Sequence, residues 1–183
     1  MAFSFLPIRE VRIPEFDTVE QLALPAEKTA LIVVDMQNDF VHAQGALTVP
    51  AAAETVPRIA DLLARARRAG VRIAFTQDTQ VKDDPEFDIW PEHCIQGSWG
   101  WEIVPELQPR DGELICMKNR YDGFYGTWLD HFLGNIWGVE QLVIAGTSPT
   151  FACCIRRPPP RCGGTASPWR PTASRRWMSS VRR

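Results

Sequence analysis

The stretch ALIVVDMQNDF, residues 30–40, decides the fold that this sequence predicts. Its first five residues are apolar and include three β-branched side chains, which is typical of a short strand covered on both faces. The apolar run ends at Asp35, so a carboxylate stands directly after the strand. Because ligand sites in open parallel sheets lie beyond the carboxyl ends of the strands, Asp35 is the first candidate for a functional residue.

The later segments alternate between helical and strand patterns. Residues 54–69 carry apolar side chains at helical spacing, and a second helix is predicted at 127–137. Further strands are predicted at 71–75, 113–117 and 141–145. This alternation predicts an α/β fold: a three-layer, doubly wound, mostly parallel sheet with helices on both faces. Asp35, Asp78, Lys118 and the residues after Gly146 should then meet at one edge of the sheet.

Composition limits the class of protein. Of 183 residues, 45% are hydrophobic and 23% charged, as in a globular domain. No apolar run approaches the roughly 18 residues that a membrane span needs, and the start lacks a signal-peptide layout. We therefore expect a cytoplasmic protein that binds no membrane. The five cysteines are an odd number without metal-ligand spacing, so we ask which of them is a nucleophile.

A thiol at the start of the helix after the fourth strand would complete a catalytic set. The helix dipole and Lys118 would favour the thiolate, and Asp35 would take its proton. Backbone N–H groups of the same turn would hold the oxyanion of a tetrahedral intermediate.

Several motifs resemble those of the isochorismatase-like cysteine hydrolases, which include nicotinamidases and other amidases. Residues 30–40 are similar to the family's first-strand Asp motif, and KNRYDGFYGT at 118–127 is similar to its Lys motif. Residues 83–87, 90–93 and 97–100 resemble its substrate-side loop. The resemblance runs in order from about residue 30 to 147.

The resemblance implies hydrolysis of a C–N bond in a small amide, or of a vinyl ether, through an Asp-Lys-Cys triad and a thioester. It makes Asp35 the general base and Lys118 the electrostatic partner of the thiolate. The expected partner is a small amide or ester-like substrate, with no nucleic acid, and a family-like homo-oligomer is compatible with it. The aromatic side chains expected at the substrate are those of Trp90, Tyr121 and Phe124.

Nicotinamidases of this superfamily bind a metal through an Asp-x-His pair and a later His. Asp78 matches the Asp and His93 the later His, but Gln80 stands where the paired His would be. Because Gln is a poor zinc ligand, we expect no metal and no other cofactor, with Asp78 and His93 as the only weak candidates for ligands.

The family's nucleophile motif departs from its pattern in this chain. Its Cys should lie six places after Gly146, where Ala152 stands, and Cys153 follows one place late. Pro149 lies in the turn that should supply oxyanion donors, and proline has no N–H. Cys153 is the candidate nucleophile on this sequence.

Charge changes abruptly at Arg156. All 22 acidic residues precede it, against 12 Lys and Arg, whereas residues 156–183 contain eight Arg, five Pro and no acid. We predict an N-terminal arm at 1–28, an incomplete hydrolase domain at 29–155 and an aberrant tail at 156–183, with the C-terminal strands and helices missing or disordered.

A shifted reading frame accounts for this change. Read one base earlier, the same codons permit the family's nucleophile motif at its usual place, followed by an Ala-rich helix and a strand. The codons of Cys153 and Cys154 then force Leu, and those of Trp177 and Met178 force Asp. We therefore expect a frame shift near residues 148–149, an early stop and a chain that is inactive as it stands.

Three alternatives remain open at this point. The chain is an active enzyme that uses Cys153 from a reshaped turn, or a non-catalytic relative that binds a small carbonyl compound. Alternatively, residues 156–183 form a genuine basic tail that binds nucleic acid or an acidic partner.

Overall fold

Four parallel strands form one sheet in the computed structural model, which describes residues 22–49 and 51–147. The strands are β1 (Thr29–Val34), β2 (Arg72–Asp78), β3 (Leu114–Lys118) and β4 (Gln141–Gly146), in the order β3-β2-β1-β4. Strand β1 lies inside the sheet and is buried along its whole length, as its apolar run predicts. The predicted α/β fold class and its parallel sheet are confirmed.

Both faces of the sheet carry buried apolar side chains in the described part of the chain. Helix α1 (Asn38–Val41) is a single turn, and α2 (Ala52–Arg68) packs across the face that carries Leu31 and Phe75. On the other face, Ala30, Ile32 and Val34 contact the segment after β3 through Leu129 and Leu133. Short 3₁₀ turns lie at Ala26–Lys28, Pro85–Asp88 and Pro105–Leu107.

The helix predicted at 127–137 is shorter and wound differently. A π-helix spans His131–Ile136. In the turn before it, the Leu129 N–H donates to the Thr127 hydroxyl at 3.3 Å. Gly134 lies inside the segment and weakens an ordinary α-helix there. Leu129 and Leu133 still face the sheet, which is what the apolar spacing predicts.

Strand β4 approaches β1 most closely at Gly146. A Cβ at this position would lie 2.2 Å from the Val34 carbonyl oxygen, and its φ of +143° is rarely adopted by residues with a side chain. Glycine therefore allows the carboxyl ends of the two central strands to lie against each other.

Three sequence predictions fall wholly or partly outside the described residues. They concern the arm at 1–28, of which only residues 22–28 are described, Cys153 with its turn, and the tail at 156–183. Among residues 22–49 and 51–147, no helix is long and apolar enough to cross a membrane.

Candidate active site

Three strand ends bring ionisable side chains together. Asp35 follows β1, while Asp78 and Lys118 are the last residues of β2 and β3. The Lys118 Nζ lies 3.0 Å from Asp35 Oδ2 and 3.1 Å from Asp78 Oδ1. All three residues are buried, with at most 6% of their surface exposed. The predicted meeting of Asp35, Asp78 and Lys118 at one edge of the sheet is observed, and the structure adds that Lys118 contacts both carboxylates.

The backbone fixes Asp35 in an unusual conformation. Its φ of +48° lies in the left-handed region, which costs a non-glycine residue about 1 kcal/mol. The Thr76 hydroxyl donates to Asp35 Oδ1 at 2.7 Å, and the Asp35 N–H donates to the Thr76 carbonyl at 3.2 Å. The Thr147 hydroxyl donates to the Asp35 carbonyl at 3.1 Å. Contacts from β2 and from the end of β4 thus hold Asp35 in place.

Burial and charge set the protonation of this group. Burial raises the pKa of Asp35, and Lys118 offsets only part of that effect. Burial alone would lower the pKa of Lys118, but the charges of Asp35 and Asp78 outweigh it and raise that pKa. Lys118 is therefore a permanent cation at neutral pH, and Asp35 is a stronger base than an exposed carboxylate.

Polar residues that follow β1, Gln37 and Asp39, connect the strand ends to the loop at 94–101. The Gln37 side-chain amide donates to the carbonyls of Asp78 and Trp101 at 2.8 and 2.9 Å, and its oxygen accepts the Asp78 N–H at 2.7 Å. Asp39 accepts the N–H groups of Cys94 and Ala46 at 2.7 and 2.9 Å. Sequence reasoning assigned no role to Gln37 or Asp39, although polar side chains next to a buried strand were the available signal.

Neither cysteine in the described part of the chain suits a nucleophile. Cys94 and Cys116 are both buried, and burial raises the pKa of each thiol. A raised pKa disfavours the thiolate that a cysteine hydrolase needs.

Gln80, Glu86 and His93 surround the far side of Asp78. The His93 Nδ1 lies 2.7 Å from the Pro91 carbonyl oxygen, and its Nε2 lies 3.4 Å from Asp78 Oδ2. The Gln80 Nε2 lies 3.4 Å from both Asp78 oxygens and from Glu86 Oε2. Burial alone would raise the pKa of Asp78, but hydrogen bonds and charge from His93 and Lys118 outweigh it and lower that pKa.

The three aromatic residues predicted at the substrate lie in two different environments, one at the surface and one against the core. The Trp90 Nε1 donates to the Tyr121 hydroxyl at 2.5 Å, and both side chains are about half exposed. Arg120 pairs with Asp84 at 3.2 Å and so connects the loop that carries Trp90 to the segment after Lys118. Phe124 instead packs against the core cluster of Leu129 and Leu133, so its role at the substrate stays a prediction.

The chain leaves β4 directly beside Asp35. The Thr147 N–H donates to the Val34 carbonyl at 3.2 Å, while its hydroxyl reaches the Asp35 carbonyl. Residues 148–153, which include the candidate Cys153, continue from this point. Thr147, the last described residue before the candidate nucleophile in the sequence, thus lies in hydrogen-bond contact with the backbone of Asp35.

Comparisons with known proteins point to one family. The isochorismatase domain family matches residues 29–156. The ureidoacrylate amidohydrolase RutB of Serratia proteamaculans is 31% identical over 153 residues, which cover 69% of this chain and 61% of the relative. The RutB of Pantoea ananatis is 32% identical over 155 residues, with the same coverage. The chain thus spans 61% of the length of these curated relatives.

Solved structures share the fold. N-carbamoylsarcosine amidase from Thermoplasma acidophilum superposes with a TM-score of 0.59 at 38% identity, over 64% of this chain and 66% of that one. The pyrazinamidase of Pyrococcus horikoshii in complex with zinc gives a TM-score of 0.62 at 32% identity, over 66% and 71%.

Proposed function

The chain belongs to the isochorismatase-like hydrolase family, and we propose that its gene encodes a cysteine hydrolase that cleaves the C–N bond of a small amide. One observation carries the proposal: Lys118 lies buried between Asp35 and Asp78, beside the end of β4. A buried cation next to a strong base is the environment that converts a neighbouring thiol into a thiolate.

The first half of the reaction forms a thioester. Asp35 takes the proton of the thiol, and Lys118 stabilises the thiolate. The sulfur attacks the amide carbonyl carbon, and the tetrahedral intermediate collapses as the C–N bond breaks. Asp35 returns the proton to the departing nitrogen, which leaves as ammonia or an amine.

The second half hydrolyses the thioester. Asp35 takes a proton from water as the oxygen attacks the thioester carbon, and the C–S bond breaks. The thiolate is released beside Lys118 and the acid product leaves, so amide and water give carboxylic acid and ammonia without a redox partner.

Amides are favoured over vinyl ethers as substrates because the curated relatives and two of the similar structures are named as amide-cleaving enzymes. Ureido compounds, in which the cleaved C–N bond belongs to a urea group, are the first subclass to test, since RutB and the carbamoylsarcosine enzyme carry such substrates in their names. The Trp90–Tyr121 pair would contact a flat or apolar part of the substrate.

The nucleophile is the thiol that comes after β4. In the chain as it stands the candidate is Cys153, with Ala152 at the family's position, and we propose that a shifted frame near Ser148 displaces it. In the restored frame the codons of Phe151 and Ala152 give either Cys or Arg at the family's place, and we propose that it is Cys.

The test is ammonia release from a panel of ureido compounds, nicotinamide and simple amides, with pyruvate release from isochorismate as the assay for vinyl ether hydrolysis. We expect turnover of an amide by the frame-restored protein, and a loss of at least about a thousandfold in kcat for Lys118→Met and Asp35→Asn. Lys28→Met, which alters an exposed ion pair with Glu140, is the matched control and should keep full activity. Turnover of isochorismate alone would support a vinyl ether hydrolase, and unchanged turnover in Lys118→Met would exclude this site.

A further inference from the structure

The zinc-containing relative raises the question of whether this chain can hold a metal beside its candidate triad. The corresponding place here is the cluster of Asp78, Gln80, Glu86 and His93, defined by the contacts of the Gln80 carboxamide. In the described residues, no group of three or more His, Cys, Asp or Glu side chains has an arrangement that could hold a metal ion.

The Gln80 amide nitrogen lies where a cation would have to bind. Its Nε2 is 3.4 Å from both Asp78 oxygens and 3.4 Å from Glu86 Oε2, so an NH₂ group faces two carboxylates. An amide nitrogen donates hydrogen bonds and offers no lone pair to a metal. The Lys118 Nζ contacts Asp78 Oδ1, and the His93 Nε2 contacts Asp78 Oδ2. Both oxygens of this carboxylate therefore already have nitrogen partners.

The orientation of the amide is forced by its neighbours. If the amide were rotated by half a turn, its oxygen would face the carboxylates of Asp78 and Glu86 and be repelled. In the observed orientation the Gln80 Oε1 is buried without a hydrogen-bond partner among the described residues. A buried acceptor is rarely left unpaired, so presenting the NH₂ group to the carboxylates outweighs pairing the oxygen.

Gln80 lies in closed surroundings that leave it no exposed space to turn into. The residue is fully buried, its N–H donates to the Cys94 carbonyl at 2.9 Å, and its carbonyl accepts the Gln96 N–H at 3.0 Å. Both backbone bonds hold it against the segment after His93. A divalent ion would have to displace a side chain that is fixed at both its backbone groups and its amide.

We propose that the Gln80 carboxamide replaces the metal ion in this chain, so that the Asp78–Gln80–Glu86–His93 cluster is closed to divalent cations. The cluster adjoins the site of the proposed function, but the inference does not depend on turnover. Substituting a side chain that offers a lone pair should open the cluster, because Asp78 and His93 already lie on either side.

The experiment is a titration of the full-length chain with Co²⁺ and Zn²⁺, followed by visible absorption and calorimetry. We expect no binding by the chain as it stands and a gain of one Co²⁺ per chain in Gln80→His. Gln80→Cys, with a smaller side chain that fits the same space, should gain the same stoichiometry with a sulfur-to-cobalt absorption band. Adding His93→Ala to either variant should abolish binding.

Gln141→His is the matched control, because it adds an imidazole at the opposite, exposed end of the sheet and should gain no cobalt. Stoichiometric binding by the unsubstituted chain that is lost in His93→Ala would overturn the inference. So would the absence of binding in both Gln80 variants when circular dichroism shows them folded. Cobalt binding does not require turnover, so a negative amidase assay would contradict the proposed function and leave the proposal about Gln80 untouched.

Discussion

At the scale of single residues, Lys118 neutralises the negative charge that two buried carboxylates bring to the ends of β1 and β2. It is the cation between two buried carboxylates, and its own pKa is raised by their charges in spite of burial. A group with a raised folded-state pKa contributes its full stability below the ordinary lysine range and loses it only at higher pH. The contribution of Lys118 is therefore complete at neutral pH.

Lys118→Met should destabilise the fold in a pH-dependent way. Removing one partner of a buried ion pair costs about 3–5 kcal/mol, because Asp35 and Asp78 would then be buried without their cation. Without Lys118 the pKa of Asp35, already raised, would rise further, and the lowered pKa of Asp78 would rise as well. Protonation of the carboxylates would therefore reduce the loss of stability towards about pH 4 and leave it largest near about pH 7. Urea unfolding followed by tryptophan fluorescence at both pH values measures the difference. Lys28→Met should change stability little, and a loss in Lys118→Met that is equal at both pH values would contradict this account.

At the scale of elements, the loop at 94–101 depends on close contact with α1. Gly100 lies against the Asp39 carboxylate, and that carboxylate accepts the N–H groups of Cys94 and Ala46. The Asp39 N–H also donates to the Gly100 carbonyl at 3.0 Å. The absence of a side chain at Gly100 thus allows the loop to reach the strand ends.

Gly100→Ala should break this contact. Its Cβ would lie 2.1 Å from Asp39 Oδ2, and the carboxylate cannot move without losing its two hydrogen bonds. We expect a loss of about 2–3 kcal/mol in the free energy of unfolding. Gly112→Ala is the control, since a Cβ there meets nothing within 4 Å and only the backbone, at φ +86°, is strained, for about 1 kcal/mol. Equal losses in the two variants would show that the Asp39 contact is unimportant.

The sequence predicts elements that are set by local patterns and misses contacts that are set by the tertiary fold. The apolar run before Asp35 predicts β1 because both faces of that strand are buried. The topology rule puts Asp78 and Lys118 at one edge of the sheet, but it does not predict the direct contact between their side chains, because that contact depends on the register in which β2 and β3 pair. The π-helix at His131–Ile136 was also missed, because apolar spacing does not distinguish one helical winding from another over a single turn.

At the scale of the whole molecule, the matched region ends where the nucleophile is required. The family match reaches residue 156, the described structure reaches Thr147, and the acidic residues all precede Arg156. The base and the cation of the proposed triad are thus present within the described part of the chain. The proposed shift of frame affects the third member of the triad and every residue after it.

The most direct test of the account is ammonia release by two proteins assayed side by side. One is the chain as it stands, and the other has one base restored near the Ser148 codon. A one-residue displacement turns a helical position by about 100°, so Cys153 would point away from Asp35 and Lys118. By the family resemblance Pro149 falls in the turn that supplies the oxyanion donors, and the loss of one such donor would cost about 3 kcal/mol in the transition state. We therefore predict activity in the restored protein, activity lower by at least about a thousandfold in the present chain, and little further change with Cys153→Ala. Equal turnover by the two proteins would contradict the account and leave Cys153 as the nucleophile.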